Sequence, residues 1–219
     1  MTRLRERGKE QYGFALVLIL AAMIFIMAAP DDDWSRVVAL LLEGLALFAA
    51  LRAAQSDMRL RVFCGVVIGV SMFVSINLAA FSADIGPAFV RWSSLLLVLL
   101  ATPVIGFGVV RQVKERRQVT IHTMMGVLCI YLLIGLAFAA AFAVIQSASG
   151  DPFFRSGDGG ESLSNYLYFS LTTITTAGLG DFAPRDGLGR SLTAAEALIG
   201  QIYLVTIVAV IVSNLGRKG

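Results

Sequence analysis

Apolar residues fall into six long runs, roughly Tyr12–Ala29, Trp34–Leu51, Val62–Phe81, Phe89–Val110, Met124–Ile145 and Ser191–Ser213, divided by short basic, acidic or glycine-rich stretches. Each is near the ~20 residues that cross about 30 Å of hydrocarbon as a helix. A helix also satisfies its own backbone polar groups where no water can do so. The pattern therefore predicts an all-α membrane protein with six transmembrane helices. Pro103, Gly106 and Gly108 interrupt the fourth run and predict a bend there. Between the fifth and sixth runs, Tyr166–Thr175 is apolar but too short to span and ends in hydroxyl residues, as a re-entrant half-helix would.

Composition agrees with the pattern. Hydrophobic residues make up 57% of the chain and charged residues 15%, with a mean hydropathy of +0.79, whereas a soluble domain carries about 25% charge. So much apolar surface points to the bilayer as solvent. The net charge of +3 is scattered between apolar runs instead of forming one patch, which argues against a nucleic-acid partner. Cys64 and Cys129 lie inside apolar runs without metal or redox spacing and read as small core hydrophobes.

The placement of Lys and Arg sets the orientation. Thirteen of the 18 lie before the first run, between the second and third, between the fourth and fifth, or after the sixth. Both termini are therefore expected in the cytoplasm of a multi-pass cell-membrane protein. Asp31-Asp32-Asp33 and the segment between the fifth and sixth runs then lie outside. A basic start followed by an apolar run and Met27-Ala28-Ala29 also fits a secretory signal. Against cleavage stand the length of the run, Glu6 and Glu10 in the basic start, and Pro30; either way the later runs keep their orientation.

The densest information lies in Thr176-Ala177-Gly178-Leu179-Gly180-Asp181. Glycines at alternate positions allow left-handed backbone that β-branched residues do not hold, so carbonyls in succession can point one way. Such a row replaces an ion's hydration shell. With the preceding Thr175, this stretch resembles the pore loop of the tetrameric potassium-channel family, Thr-Thr-Val-Gly-Tyr-Gly-Asp. It departs from that signature at Ala177 for Val and Leu179 for Tyr. The resemblance implies carbonyl coordination of a potassium ion by Thr176, Ala177, Gly178 and Leu179, with Gly180 closing the filter and the Thr176 hydroxyl adding an inner ring. It also implies that Asp181 braces the filter from behind with Tyr168 as its hydrogen-bond partner. Leu179 lacks the phenol that would tie the filter to its surroundings, and Ala177 fills less volume than Val, so sodium permeation stays open as an alternative. No cofactor beyond the permeant ion is implied.

The same resemblance divides the chain into a four-helix membrane domain with a basic linker over 1–118 and a pore domain over 119–219. The latter would comprise an outer helix, the Gly150–Glu161 external loop, the pore helix Leu163–Thr173, the filter and an inner helix. The pore helix would aim its partially negative C-terminal end at the membrane centre, favouring cations. Gly189-Arg190 is followed ten residues later by Gly200, where family members place a flexible point. Below it Leu204, Val208 and Val212 recur every four residues and share a face, either as a hydrophobic gate or as ordinary packing. Glu196 is expected to brace the filter through Thr172 or Thr173.

One such loop forms a quarter of a wall, so a homotetramer is expected. Around its mouth Asp151, Asp158, Glu161, Asp181 and Asp186 outnumber Arg155, Arg185 and Arg190, which would concentrate cations. The fourth run holds Arg91 at its outer edge and no further charge until Arg111. Steep voltage gating needs about 3–4 charges per subunit in the field, so none is expected. Arg111, Lys114 and Arg117 read as an interfacial linker. Glu43, in the second run, pairs with Arg36 or Arg91, stays protonated, or makes a structural hydrogen bond. His122, at the start of the fifth run, reads as interfacial. The chain past the sixth run is short and no soluble regulatory domain is expected. No catalytic constellation points to an enzyme. A secondary transporter or a non-conducting subunit remain the rival classes, although paired repeats with matching broken helices are not evident.

Overall fold

A computed structural model of the chain describes residues 11–29, 33–53, 65–66, 69–70, 91–92, 95–99, 102–103, 106–107, 120–155 and 162–214. Most of the predicted third run, half of the fourth, the basic linker and the domain boundary at 118 lie outside the described residues. The described elements are α1 (Gln11–Ala28), α2 (Asp33–Ala53), α3 (Ile121–Ser149), α4 (Leu163–Ile174) and α5 (Gly187–Ile202). From α5 the chain runs on through a π-helical segment, Tyr203–Val208, into α6 (Ala209–Ser213). Among the described residues regular structure is entirely helical, apart from one isolated bridge between Phe154 and Pro184.

Among the described residues, two helices are long and apolar enough to cross a bilayer, Thr123–Ser149 and Gly187–Ser213; Tyr12–Ala28 and Leu41–Ala50 are shorter apolar helices. The 12-residue α4 is roughly 18 Å long at 1.5 Å per residue, about half a bilayer core.

Local chemistry fixes the ends of these helices. Thr120 lends its N–H to Thr123 Oγ1 at 3.5 Å as α3 begins. That helix stops at Gly150, where φ is 72° and the N–H donates to the Gln146 carbonyl at 3.0 Å. Glycine suits that left-handed cap. Ser162 caps α4 by accepting from the Asn165 N–H at 3.2 Å, and Asp186 caps α5 by accepting from Gly189 at 2.8 Å. Each removes an orphan donor from a helix start.

The core follows the 3.6-residue period. Ala15, Ile19, Met23 and Ile26 line the buried side of α1, and they pack with Ala46, Leu47 and Ala50 of α2 and Leu133, Ala139 and Phe142 of α3. Phe14, Val17 and Ile24 lie exposed on the opposite side of α1. α4 is wedged against α3 through Tyr166, Leu167 and Phe169, and Gly135 faces it, with Ser170, Leu171 and Ile174 each 3.7 Å from where a Cβ would stand. The segment after α4 is thereby held at the end of a buried helix and presented outward.

Candidate functional site

The stretch after α4 is tied back to the helix that delivers it. The N–H groups of Thr175, Thr176 and Gly178 donate to the carbonyls of Leu171, Thr173 and Thr172 at 3.2, 2.9 and 3.0 Å. The Thr175 hydroxyl adds a bond to Leu171 O at 2.6 Å. Beyond the turn, φ is positive at alternate residues: 59° at Thr176, 48° at Gly178 and 81° at Gly180. Ala177 and Leu179, between them, have no positive φ. Alternating backbone of this kind lines N–H groups along one edge and carbonyls along the other. Thr176 is the sole non-glycine with positive φ among the described residues, a conformation unfavourable to a β-branched side chain. Residues 175–181 are exposed on this chain, and Leu179 reaches 66% exposure.

The surroundings hold several of the residues singled out from the sequence. Tyr168 is hydrogen-bonded to Asp181, and that bond, before burial, pushes its phenol above the ordinary range. Tyr168 also packs edge-on against Phe182 at 5.9 Å. Glu196 is fully buried at 0% exposure, but its partner is Ser170, at 2.5 Å. Thr172, expected in that role as the alternative to Thr173, gives its hydroxyl to Phe169 O within its own helix at 2.9 Å. Helical geometry accounts for the difference, since Ser170 shares the buried side of α4 with Tyr166 and Thr173 whereas Thr172 is only partly buried. Glu196 Oε2 has no hydrogen-bond partner among the described residues.

Gly200 carries a steric requirement alongside any flexibility. A Cβ there would stand 2.3 Å from the Ile174 carbonyl oxygen and 2.6 Å from Ile174 Cγ1. The inner helix thus crosses the end of α4 at a point that admits only glycine without a shift. Leu204 and Val208 pack within the chain, against the cluster of Val127, Tyr131, Ile174 and Tyr203. Val212 is exposed. Four-residue spacing identifies a shared face without saying what covers it, and at Leu204 and Val208 that cover is α3. The exposed side below Gly200 instead carries Ile202, Val205 and Val210.

Several participants were not singled out in advance. Phe153 and Phe154, in the external loop Gly150–Glu161, are buried. Phe154 stacks on Tyr166 at 5.3 Å and packs on Phe182 at 4.8 Å. Backbone bonds from Arg155 to Ala183 and from Arg185 to Phe153, at 3.0 and 2.8 Å, pin the loop to the chain beyond the Gly180 turn. Adjacent aromatics in a polar loop were the available signal. Arg91 donates to Gln146 Oε1 and Ser147 Oγ at 2.9 and 2.8 Å, near the C-terminal end of α3. Tyr166 shares the same Gln146 oxygen at 3.2 Å. Glu43 is buried within α2, and the His122 side chain lies outside the described residues.

A half-length helix, a backbone strip with positive φ at alternate residues at its end and a long apolar helix leaning on both make up one helical module. The family described as ion channel matches residues 130–217, which encompass this module. A probable potassium channel protein of Methanocaldococcus jannaschii is 48% identical over 46 residues, 20% of this chain and 13% of that protein. The potassium voltage-gated channel protein shk-1 of Caenorhabditis elegans is 33% identical over 82 residues, 36% of this chain and 15% of that protein. The chain thus aligns with well under a fifth of the length of either relative. Over that part of its length the chain is similar to the ion-channel family and to potassium channel proteins.

Proposed function

We propose that four copies of this chain form a cation channel that conducts potassium passively across the cell membrane. In this reading the carbonyls of Thr176, Ala177, Gly178 and Leu179, with Gly180 beyond them, line the ion path around a shared axis. The observation that carries the reading is the alternation of left-handed backbone at Thr176, Gly178 and Gly180 at the end of α4, whose C-terminal dipole favours a cation. The exposed apolar side of the inner helix, with Ile202 at 59% and Val205 at 62% exposure, suits neighbouring protomers and the cavity between them. Four further helices per chain complete six spans, α4 being re-entrant and both termini cytoplasmic. The fourth span lacks the charges for steep voltage response.

A second reading, mixed sodium and potassium conduction, draws on Leu179, which has no hydroxyl to fasten the strip sideways. Bi-ionic recording from purified protein in planar bilayers separates the two. Discrete current steps reversing near the potassium equilibrium potential are expected. A reversal midway favours the mixed channel, and absence of steps overturns the channel reading in favour of a transporter or non-conducting subunit.

A further inference from the structure

The carbonyl of Ile174, two residues ahead of Thr176, is contacted by two other helices. From α3, the Tyr131 hydroxyl donates to it at 2.9 Å. From α5, the backbone at Gly200 lies directly against it. Tyr131 in turn packs on Tyr203 with ring centroids 5.7 Å apart, and the Tyr203 hydroxyl donates to the Val127 carbonyl at 2.7 Å. Both phenols are buried. Tyr203 is the first residue of the π-helical segment.

A π-turn holds one residue more than an α-turn, and such turns in otherwise α-helical runs concentrate at functional positions. Moving that residue out of the turn rotates the helix beyond it by about 100°, the angle between successive α-helical residues. Tyr203 sits at the start of the turn, so such a rearrangement displaces its ring or breaks its bond to Val127. The ring it would disturb is the one whose hydroxyl holds the last carbonyl of α4.

We propose that Tyr131 and Tyr203 are positioning residues that form a strut between the π-helical turn of the inner helix and the base of the ion path. The state of the inner helix then sets how firmly Thr175–Gly178 are held. This rests on the channel reading for its consequence, but the strut itself is a mechanical coupling that exists whether or not ions pass.

Two measurements on the assembled protein test it. In hydrogen–deuterium exchange of the full chain in lipid nanodiscs, Y131F and Y203F should each speed exchange at the Thr176 and Gly178 amides roughly fivefold, the effect of one lost hydrogen bond on local opening. The double variant should go no further than either alone, because one broken link already unloads the strut. In bi-ionic recording, Y131F should raise sodium permeability relative to potassium several-fold over the parent protein, a change that loss of general stability would not produce. Unchanged exchange at Thr176 and Gly178 in Y131F overturns the strut. Faster exchange in Y131F but not in Y203F overturns the coupling to the inner helix. If Y131F does not assemble, Y203F decides by the same exchange readout. A parent protein without current overturns the channel reading alone, since the exchange result still decides the strut.

Discussion

Ser170 on α4 and Glu196 on α5 are joined side chain to side chain, Oγ to Oε1 at 2.5 Å, in a spot that water does not reach. The same Ser170 oxygen lies 2.6 Å from the Gly135 carbonyl of α3, so one hydroxyl links α3, α4 and α5.

A serine has one hydroxyl hydrogen, and here two oxygens stand within donating distance of it. Both short contacts are hydrogen bonds if Ser170 donates to Gly135 and Glu196 brings a hydrogen of its own to Ser170. An amide can play that part, so E196Q should assemble and conduct close to the parent level. E196L and S170A each leave a buried polar partner unsatisfied, and should lower the thermal stability of the assembly by about 1–3 kcal/mol. Thermal dissociation followed by gel filtration reads this out. If E196Q is as damaging as E196L, the hydrogen-carrying arrangement is wrong.

Two glycines should fail for different reasons when changed to alanine. At Gly200 a Cβ meets backbone, 2.3 Å from Ile174 O, and overpacking of this kind destabilises by about 1–3 kcal/mol. At Gly178 a Cβ meets nothing within 4 Å, but φ is 48°, and left-handed backbone penalises any other L-residue by roughly 1–2 kcal/mol. G200A should therefore lower thermal stability by loosening α5 from α4. G178A should assemble normally and lose current, because the strain falls on the strip alone. Circular dichroism melts and recordings on both variants distinguish these outcomes. A G178A channel with normal conduction would show that the ions take another route.

How much of this was legible in the sequence depended on the kind of constraint. Periodicity located α1, α2, α3 and the inner helix to within a few residues, because long apolar runs permit little else. The glycines at 178 and 180 announced their left-handed backbone, whereas the bond from Tyr168 to Asp181 was implied only by the family resemblance. Thr176 did not announce its own positive φ, since nothing in a threonine favours that conformation and the surrounding hydrogen bonds impose it. The partner of Glu196 was misplaced by two or three positions along α4, because sequence gives no rotation of one helix against another. Tyr131 and Tyr203 were not singled out, although a phenol inside an apolar run needs an acceptor for its hydroxyl. The π-turn itself follows from packing and leaves no compositional trace in Tyr203–Val208.

The bond between Tyr168 and Asp181 predicts an alkaline transition with a definite sign. The phenol is held above the ordinary tyrosine value of about 10, chiefly by the hydrogen bond to Asp181, with burial and the carboxylate charge adding to it. A group whose folded value is raised stabilises fully while the pH stays below its unfolded value, and that stabilisation is lost as the pH climbs through the folded value. The parent protein should thus keep a level thermal midpoint from neutral pH up to about 10 and fall beyond it, as the phenolate and the carboxylate repel. Y168F lacks the bond at every pH, so it should start from a lower midpoint at neutral pH and show a smaller alkaline fall. Melting curves of both proteins across that range test this directly; parallel alkaline falls would assign the transition to another group and remove Tyr168 from the support of the strip.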